Sequence, residues 1–126
     1  AGIYHDIMPA VAQEHERLVQ EIPERWRFGN MFTSSISNFN ISAPYHTDHA
    51  NVKGTCNFII TKRNGSTGGN LHVPDYDATF DQADYSLLVY PAWRNMHGVT
   101  PITETNKGGY RNSLVFYALH ALKNAK

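Results

Sequence analysis

A single cysteine, Cys56, stands among the 126 residues of this chain, which excludes an internal disulfide and any cysteine-based zinc site. Charge of one sign is missing as well, since 11 basic residues meet 11 acidic ones. Duplex-binding domains are usually basic, because neutralising phosphates drives their non-specific affinity. Composition therefore lends nucleic acid no support, and any case for it must come from a site. Long apolar runs are absent; stretches such as Leu87-Leu88-Val89-Tyr90 are far too short to cross a bilayer. No charged-then-apolar leader opens the chain. The expectation is an intracellular protein, in the cytoplasm of a bacterial host or in a nucleus, neither secreted nor membrane-bound. Repeats, low-complexity tracts and linkers are also lacking. The length suits one domain over residues 1–126, a monomer whose core needs no staples.

What is present has two textures. From Met8 to Ile22, the residues Val11, His15, Leu18, Val19 and Ile22 recur at helical spacing with Glu14, Glu16, Arg17 and Gln20 between them, which predicts one amphipathic helix ended by Pro23. After it come short β-rich pieces broken by Gly, Asn and Pro. Strands are predicted at Met31–Ser42, Tyr45–Asp48, Thr55–Arg63, Asn70–Val73, Ser86–Pro91, Arg94–Gly98 and Arg111–Leu119, with turns at Asn64–Gly69 and Thr105–Gly109. One helix followed by short strands, with no helices between them, fits a mainly β, two-sheet antiparallel roll whose outer face the helix covers.

The triplet His46-Thr47-Asp48, with His97 far downstream and Arg111 beyond it, carries the first chemical signal. In a strand, residues i and i+2 share a face, so His46 and Asp48 can offer an imidazole and a carboxylate to one metal, while His49 points away. With His97 from a facing strand they make the two-histidine, one-carboxylate triad of non-haem iron(II) oxygenases, which leaves positions open for co-substrate and O₂. Arg111 adds a planar fork suited to a dicarboxylate. An H-x-D triplet alone arises often by chance, and a lone histidine is more often structural. The combination is what favours iron.

The second signal is Arg111-Asn112-Ser113-Leu114-Val115-Phe116-Tyr117. Alternation puts Arg111, Ser113, Val115 and Tyr117 on one face and Asn112, Leu114, Phe116 and Ala118 on the other. A guanidinium, a hydroxyl and a phenol on one face, opposite an apolar one, read as a ligand-holding interior or as a polar solvent face. In the first reading Arg111 and Ser113 bind the distal carboxylate of 2-oxoglutarate and Tyr117 is left for substrate.

Four segments in order resemble the TET/JBP family of 2-oxoglutarate- and iron(II)-dependent DNA base dioxygenases, over about three-quarters of the chain from Phe32 to the last strand. His46-Thr47-Asp48-His49-Ala50-Asn51 is similar to H-x-D-x-x-N. Gly68-Gly69-Asn70-Leu71 with Pro74 is similar to a GG-x-L segment with trailing proline, and His97-Gly98-Val99-Thr100-Pro101 to H-x-x-T-P. Arg111–Tyr117 resembles the R-x-S-L-V-F-Y of animal members.

This resemblance implies a double-stranded β-helix (jelly-roll, cupin-like) oxygenase fold. It implies iron(II) on His46, Asp48 and His97, 2-oxoglutarate on Arg111 and Ser113 with help from Asn38 or Asn40, and O₂ as co-substrate. It further implies contact of Asn51 with the edge of a target base and stacking by Tyr117. The partner is then DNA carrying a 5-methylpyrimidine, its target base flipped out. The activity implied is hydroxylation of the 5-methyl group of 5-methylcytosine, with a thymine hydroxylase of the JBP type, or a same-fold hydroxylase of a protein side chain or small molecule, as alternatives. A binding module without turnover is the non-enzyme alternative. The chain departs from animal members at Leu119, where they carry a histidine, and in lacking their cysteine-rich zinc-binding region. Lys53, Lys62, Arg63, Arg94 and Lys107 form either a basic strip for phosphates or solvated strand ends. Cys56, Trp26, Phe28, Phe58 and Phe80 read as packing, His5, His15 and His72 as structural or exposed, and Tyr90 and Trp93 as core or pocket entrance.

Overall fold

The computed structural model describes residues 2–125. Two helices open it, α1 (Gly2–Ile7) and α2 (Pro9–Val19), where the pattern predicts one. Pro9 explains the division: its fixed φ and missing N–H suit the first turn of a new helix, so the chain breaks at Met8. The second helix also stops at Val19, ahead of Pro23, and the Ile22 N–H turns back to the Val19 carbonyl at 2.9 Å. Ala12, His15 and Val19 form its buried stripe.

Ten strands follow: β1 (Ser34–Phe39), β2 (Ala43–His46), β3 (Asn57–Asn64), β4 (Ser66–Gly68), β5 (Leu71–Val73), β6 (Ala78–Phe80), β7 (Ser86–Tyr90), β8 (His97–Val99), β9 (Ile102–Glu104) and β10 (Tyr110–Tyr117). One sheet runs β1-β10-β3-β7 and the other β2-β8-β5-β6, while β4 and β9 pair as a separate ribbon. Every pairing is antiparallel. Setting the ribbon aside, successive strands alternate between the two four-stranded sheets, except that β5 and β6 pair as neighbours in one of them, in the winding of a double-stranded β-helix. The mainly β roll expected from the sequence is the fold observed.

The larger sheet shows why its two faces differ. On β3, Phe58 alternates with Asn57 and Ile59, and on β10 Phe116 alternates with Arg111, Ser113 and Val115. The outer phase meets the helices: the Tyr4 and Phe58 rings stand edge-on at 5.0 Å, and Phe32 lies 5.6 Å from Phe116. Tyr4, Ala12, Met31, Cys56 and Phe58 form one core cluster there, and Val19, Ile22, Val52 and Ala118 a second. At about 25 cal/mol per Å² of apolar surface, such burial is the main term holding helices to sheet. Trp26, Phe28 and Phe80, read from sequence as packing, are each more than a third exposed; Cys56 and Phe58 of that group are buried.

Three short strands escape the sequence pattern. The predicted turn Asn64–Gly69 contains β4, which pairs with β9, and β6 follows a 3-10 turn at Pro74–Tyr76. Each of these strands spans only three residues, too few to show alternation. Gly68 makes the ribbon possible, for it has φ +73° and a side-chain carbon there would sit 1.9 Å from the Pro101 carbonyl oxygen. No helix among the described residues is long and apolar enough to cross a membrane.

Candidate active site

Between the sheets lies a cavity of about 420 Å³ lined by residues of both. From β10 come Arg111, Ser113, Val115 and Tyr117, all of the phase that alternation turns inward. Asn57 and Ile59 come from β3, Leu71 from β5 and His97 from β8. Its walls are therefore apolar between two polar groups of residues.

The first polar group is His46, Asp48 and His97, whose ligand atoms all lie within 4.8 Å of one another. His46 and His97 are register partners across β2 and β8. Strand β2 ends at His46, however, so Asp48 is not delivered by strand alternation as the sequence suggests. The chain leaves the strand, and the Asp48 N–H donates to the Ala92 carbonyl at 3.0 Å. That anchor holds its carboxylate beside both rings. His46 Nε2 is 3.2 Å and His97 Nε2 3.6 Å from Asp48 Oδ1.

Both imidazoles are oriented from behind. The His46 Nδ1 stands 2.8 Å from the Pro44 carbonyl and the His97 Nδ1 2.8 Å from that of Asn95. A carbonyl only accepts, so each Nδ1 carries the hydrogen and each Nε2 is the atom left to bind a metal. Asp48 is fixed in the same way, its Oδ2 accepting from Asn57 Nδ2 at 2.9 Å. Burial works to raise the Asp48 pKa, but the hydrogen bond and charge of His97, the Asn57 amide and the His46 charge outweigh it. The carboxyl sits below its ordinary value, held ionised as a ligand must be. Metal–ligand bonds of about 2.1 Å at right angles put donor atoms roughly 3.0 Å apart, close to the two separations seen. His49 lines the cavity but stands outside the triad.

The second polar group surrounds Arg111, which is 2% exposed. Its Nη2 donates to Gln82 Oε1 at 3.0 Å and its Nη1 to Ser113 Oγ at 3.4 Å, while its Nε has no partner. No carboxylate pairs with it among the described residues. Burial, and then the neighbouring Arg63, lower its pKa, yet a guanidinium remains charged. A buried cation with no counter-ion costs several kcal/mol, which an anion bound beside it would offset. Gly69 packs against its stem: a side-chain carbon there would meet Arg111 Cδ at 3.0 Å.

The structure separates the two candidate asparagines of β1 and its following turn. Asn38 lines the cavity and its Nδ2 donates to Ser113 Oγ at 3.3 Å. Asn40 lies outside the cavity lining with φ +53°, and its Oδ1 accepts the Arg111 backbone N–H at 2.8 Å. Asn51 also lines the cavity; it is buried, and its Nδ2 donates to Asn57 Oδ1 at 2.9 Å. Tyr117 lines the cavity and is half-buried. Leu119 bridges to Asn51, and His120 faces a different cavity together with His49 and Lys53. Of the five cations weighed as a strip, Lys62 is paired with Asp84 and Arg63 is folded inward onto the Gln82 and Gly68 carbonyls. Those two do not contribute to an open basic surface.

Two further residues that the sequence reading did not single out support the site. Asn57 joins Asp48 to Asn51, and Gln82 backs Arg111. Asn57 was detectable in principle, as a polar residue in the inward phase of the apolar run Asn57–Ile60. Gln82 lies in a loop with no periodicity. Tyr90 lines the cavity edge-on to His97 at 5.1 Å, its pKa raised by burial first and by the Asp48 charge second.

No protein-family model matches the sequence, and no curated protein does. The fold is similar to a solved structure, NgTET1 in complex with 5mC DNA, with a TM-score of 0.74 at 18% identity. The likeness covers 98% of this chain and 49% of that one, so the chain spans about half the length of its match. An RmlC-like cupin protein from Desulfovibrio desulfuricans aligns with a TM-score of 0.42 at 17% identity, over 68% of this chain and 72% of that one. At such identities the likeness is one of fold.

Proposed function

We propose that this chain is an iron(II)- and 2-oxoglutarate-dependent dioxygenase that hydroxylates the 5-methyl group of 5-methylcytosine in DNA. One observation carries the reading: a buried, uncompensated Arg111 shares a cavity with a His46–Asp48–His97 triad whose Nε2 atoms are free for a metal. A metal-only site needs no such arginine, and an anion site needs no such triad. Together they suit a metal-chelating dicarboxylate.

In this reading His46, Asp48 and His97 hold the iron, while Arg111 and Ser113 hold the distal carboxylate of 2-oxoglutarate. Asn38 steadies the Ser113 hydroxyl from β1. Iron and co-substrate, when bound, supply the oxidation that converts a C–H bond to C–OH with O₂ consumed and succinate and CO₂ released. The protein's own work is positional. Ile59, Leu71, Val99 and Val115 line the cavity with apolar surface, which limits water around the reacting groups. Asn51 meets the edge of the target base, and the Tyr117 ring stacks on it, offsetting part of the few kcal/mol that extruding a base costs.

The DNA part rests on the resemblance of Asn51 and Arg111–Tyr117 to the family's motifs, and on the fold shared with a protein whose solved structure holds 5mC DNA. A thymine target is the second reading, left open by Leu119 at the position of the family's histidine. The test is succinate release by the iron-loaded protein with oligonucleotides carrying 5-methylcytosine, thymine alone or neither. Release stimulated by 5-methylcytosine supports the proposal, and release indifferent to DNA removes the substrate assignment.

A further inference from the structure

Gln82, in the loop between β6 and β7, does not line the cavity, yet it holds the arginine that does through a set of directed contacts. Its Oε1 accepts from Arg111 Nη2 at 3.0 Å and from the Leu71 backbone N–H at 3.1 Å. Its Nε2 donates to Thr61 Oγ1 at 3.3 Å. Its backbone N–H donates to Asn70 Oδ1 at 3.1 Å, and its carbonyl accepts from Arg63 Nη1 at 3.1 Å. The side chain is 2% exposed. The orientation of its amide is dictated by its neighbours, because the Arg111 and Leu71 groups are donors only and must face an oxygen.

Two guanidinium groups, Arg63 and Arg111, are register partners on β3 and β10. Every acceptor that holds them is neutral: carbonyls, a hydroxyl or an amide oxygen. A carboxylate at position 82 would be the ordinary solution for a buried arginine. It would also cancel the charge that draws in an anion. We propose that Gln82 is a positioning residue, holding Arg111 through a neutral amide so that the guanidinium stays aimed and uncompensated for the far carboxylate of the co-substrate. This rests on the 2-oxoglutarate reading given above.

Gln82→Glu separates this role from a structural one. The variant keeps an acceptor for Arg111 and Leu71, and the Thr61 hydroxyl can rotate to donate to the new oxygen. A merely structural Gln82 therefore predicts unchanged ligand binding. Calorimetric titration of the Mn(II)-loaded protein with 2-oxoglutarate, beside titration with Mn(II) alone, gives the readout. For Gln82→Glu the 2-oxoglutarate Kd rises at least about tenfold while the Mn(II) Kd stays within about threefold. Gln82→Met, which removes the acceptor without adding charge, raises it at least about threefold and covers the case of a Glu variant that does not fold. A folded Gln82→Glu protein whose 2-oxoglutarate Kd rises less than about tenfold overturns the proposal, as does an unaffected Gln82→Met where the Glu variant is unfolded. A wild-type protein that binds Mn(II) but no 2-oxoglutarate overturns the co-substrate reading as well, so the two failures are told apart.

Discussion

His46 and His97 face each other across β2 and β8, and each turns its Nε2 toward the same oxygen of Asp48, at 3.2 and 3.6 Å. Two imidazoles and a carboxylate so placed, each imidazole with its Nδ1 tied to a backbone carbonyl, can supply half a coordination shell.

Asp48→Ala removes the central ligand without touching either packed cluster. Its metal affinity falls at least about 100-fold, more than the loss usual for an outer-shell partner. Mn(II) titration measures this, and circular dichroism checks that the fold is retained. A variant that unfolds would mean that the carboxylate is structural, through its hydrogen bond to Asn57.

Arg111→Met replaces a buried cation with an apolar chain of similar length. The KM for 2-oxoglutarate rises about 100-fold, the loss expected when one partner of a buried charge pair is truncated. The Kd for Mn(II) does not change. A fall confined to kcat would instead place Arg111 at the substrate.

Gly68→Ala tests the ribbon that packs beside Arg111. With φ +73° and only 1.9 Å between the new carbon and the Pro101 oxygen, the backbone must move. A stability loss of about 2 kcal/mol or more is expected in urea denaturation. Gly108→Ala has a similar φ of +79° but nothing within 4 Å. Its loss is the smaller of the two.

His15 gives the fold a pH dependence. It is fully buried, against Tyr4 Oη, the Met31 carbonyl and the Cys56 N–H. Burial lowers its pKa below the ordinary 6.5. The unfolded chain therefore takes up the proton first as pH falls. The stabilising contribution is complete above the ordinary value and is lost as pH drops through the folded-state value. The urea midpoint of the metal-free protein declines as pH falls below about 6.5. In His15→Gln that part of the slope disappears, whatever the baseline stability.

Elements long enough to show alternation were legible from the residues alone. Strand β10 is the clearest case: Arg111, Ser113, Val115 and Tyr117 all line the cavity, as their phase predicts. The helix covering the outer face was also legible as α2, whereas α1, ahead of Pro9, was not. The irregular parts were not. Asp48 reaches the histidines by leaving the strand, and β4, β6 and β9 are too short for a pattern. Asn38 and Asn40 look equivalent in sequence; a left-handed backbone at Asn40 ties that side chain to the Arg111 N–H instead of the cavity. Gln82 matters through contacts made across the chain, which no local spacing records.

The proposed oxidation of a methyl group on DNA is read at the reacting carbon itself by mass spectrometry of nucleosides. Duplex DNA carrying 5-methylcytosine is incubated with the protein, Fe(II), 2-oxoglutarate and O₂, then digested and analysed. Expected is replacement of 5-methylcytosine by its hydroxymethyl form, with none from Asp48→Ala and strongly reduced yield from Arg111→Met at limiting 2-oxoglutarate. Survival of all 5-methylcytosine and thymine while succinate is released would contradict it.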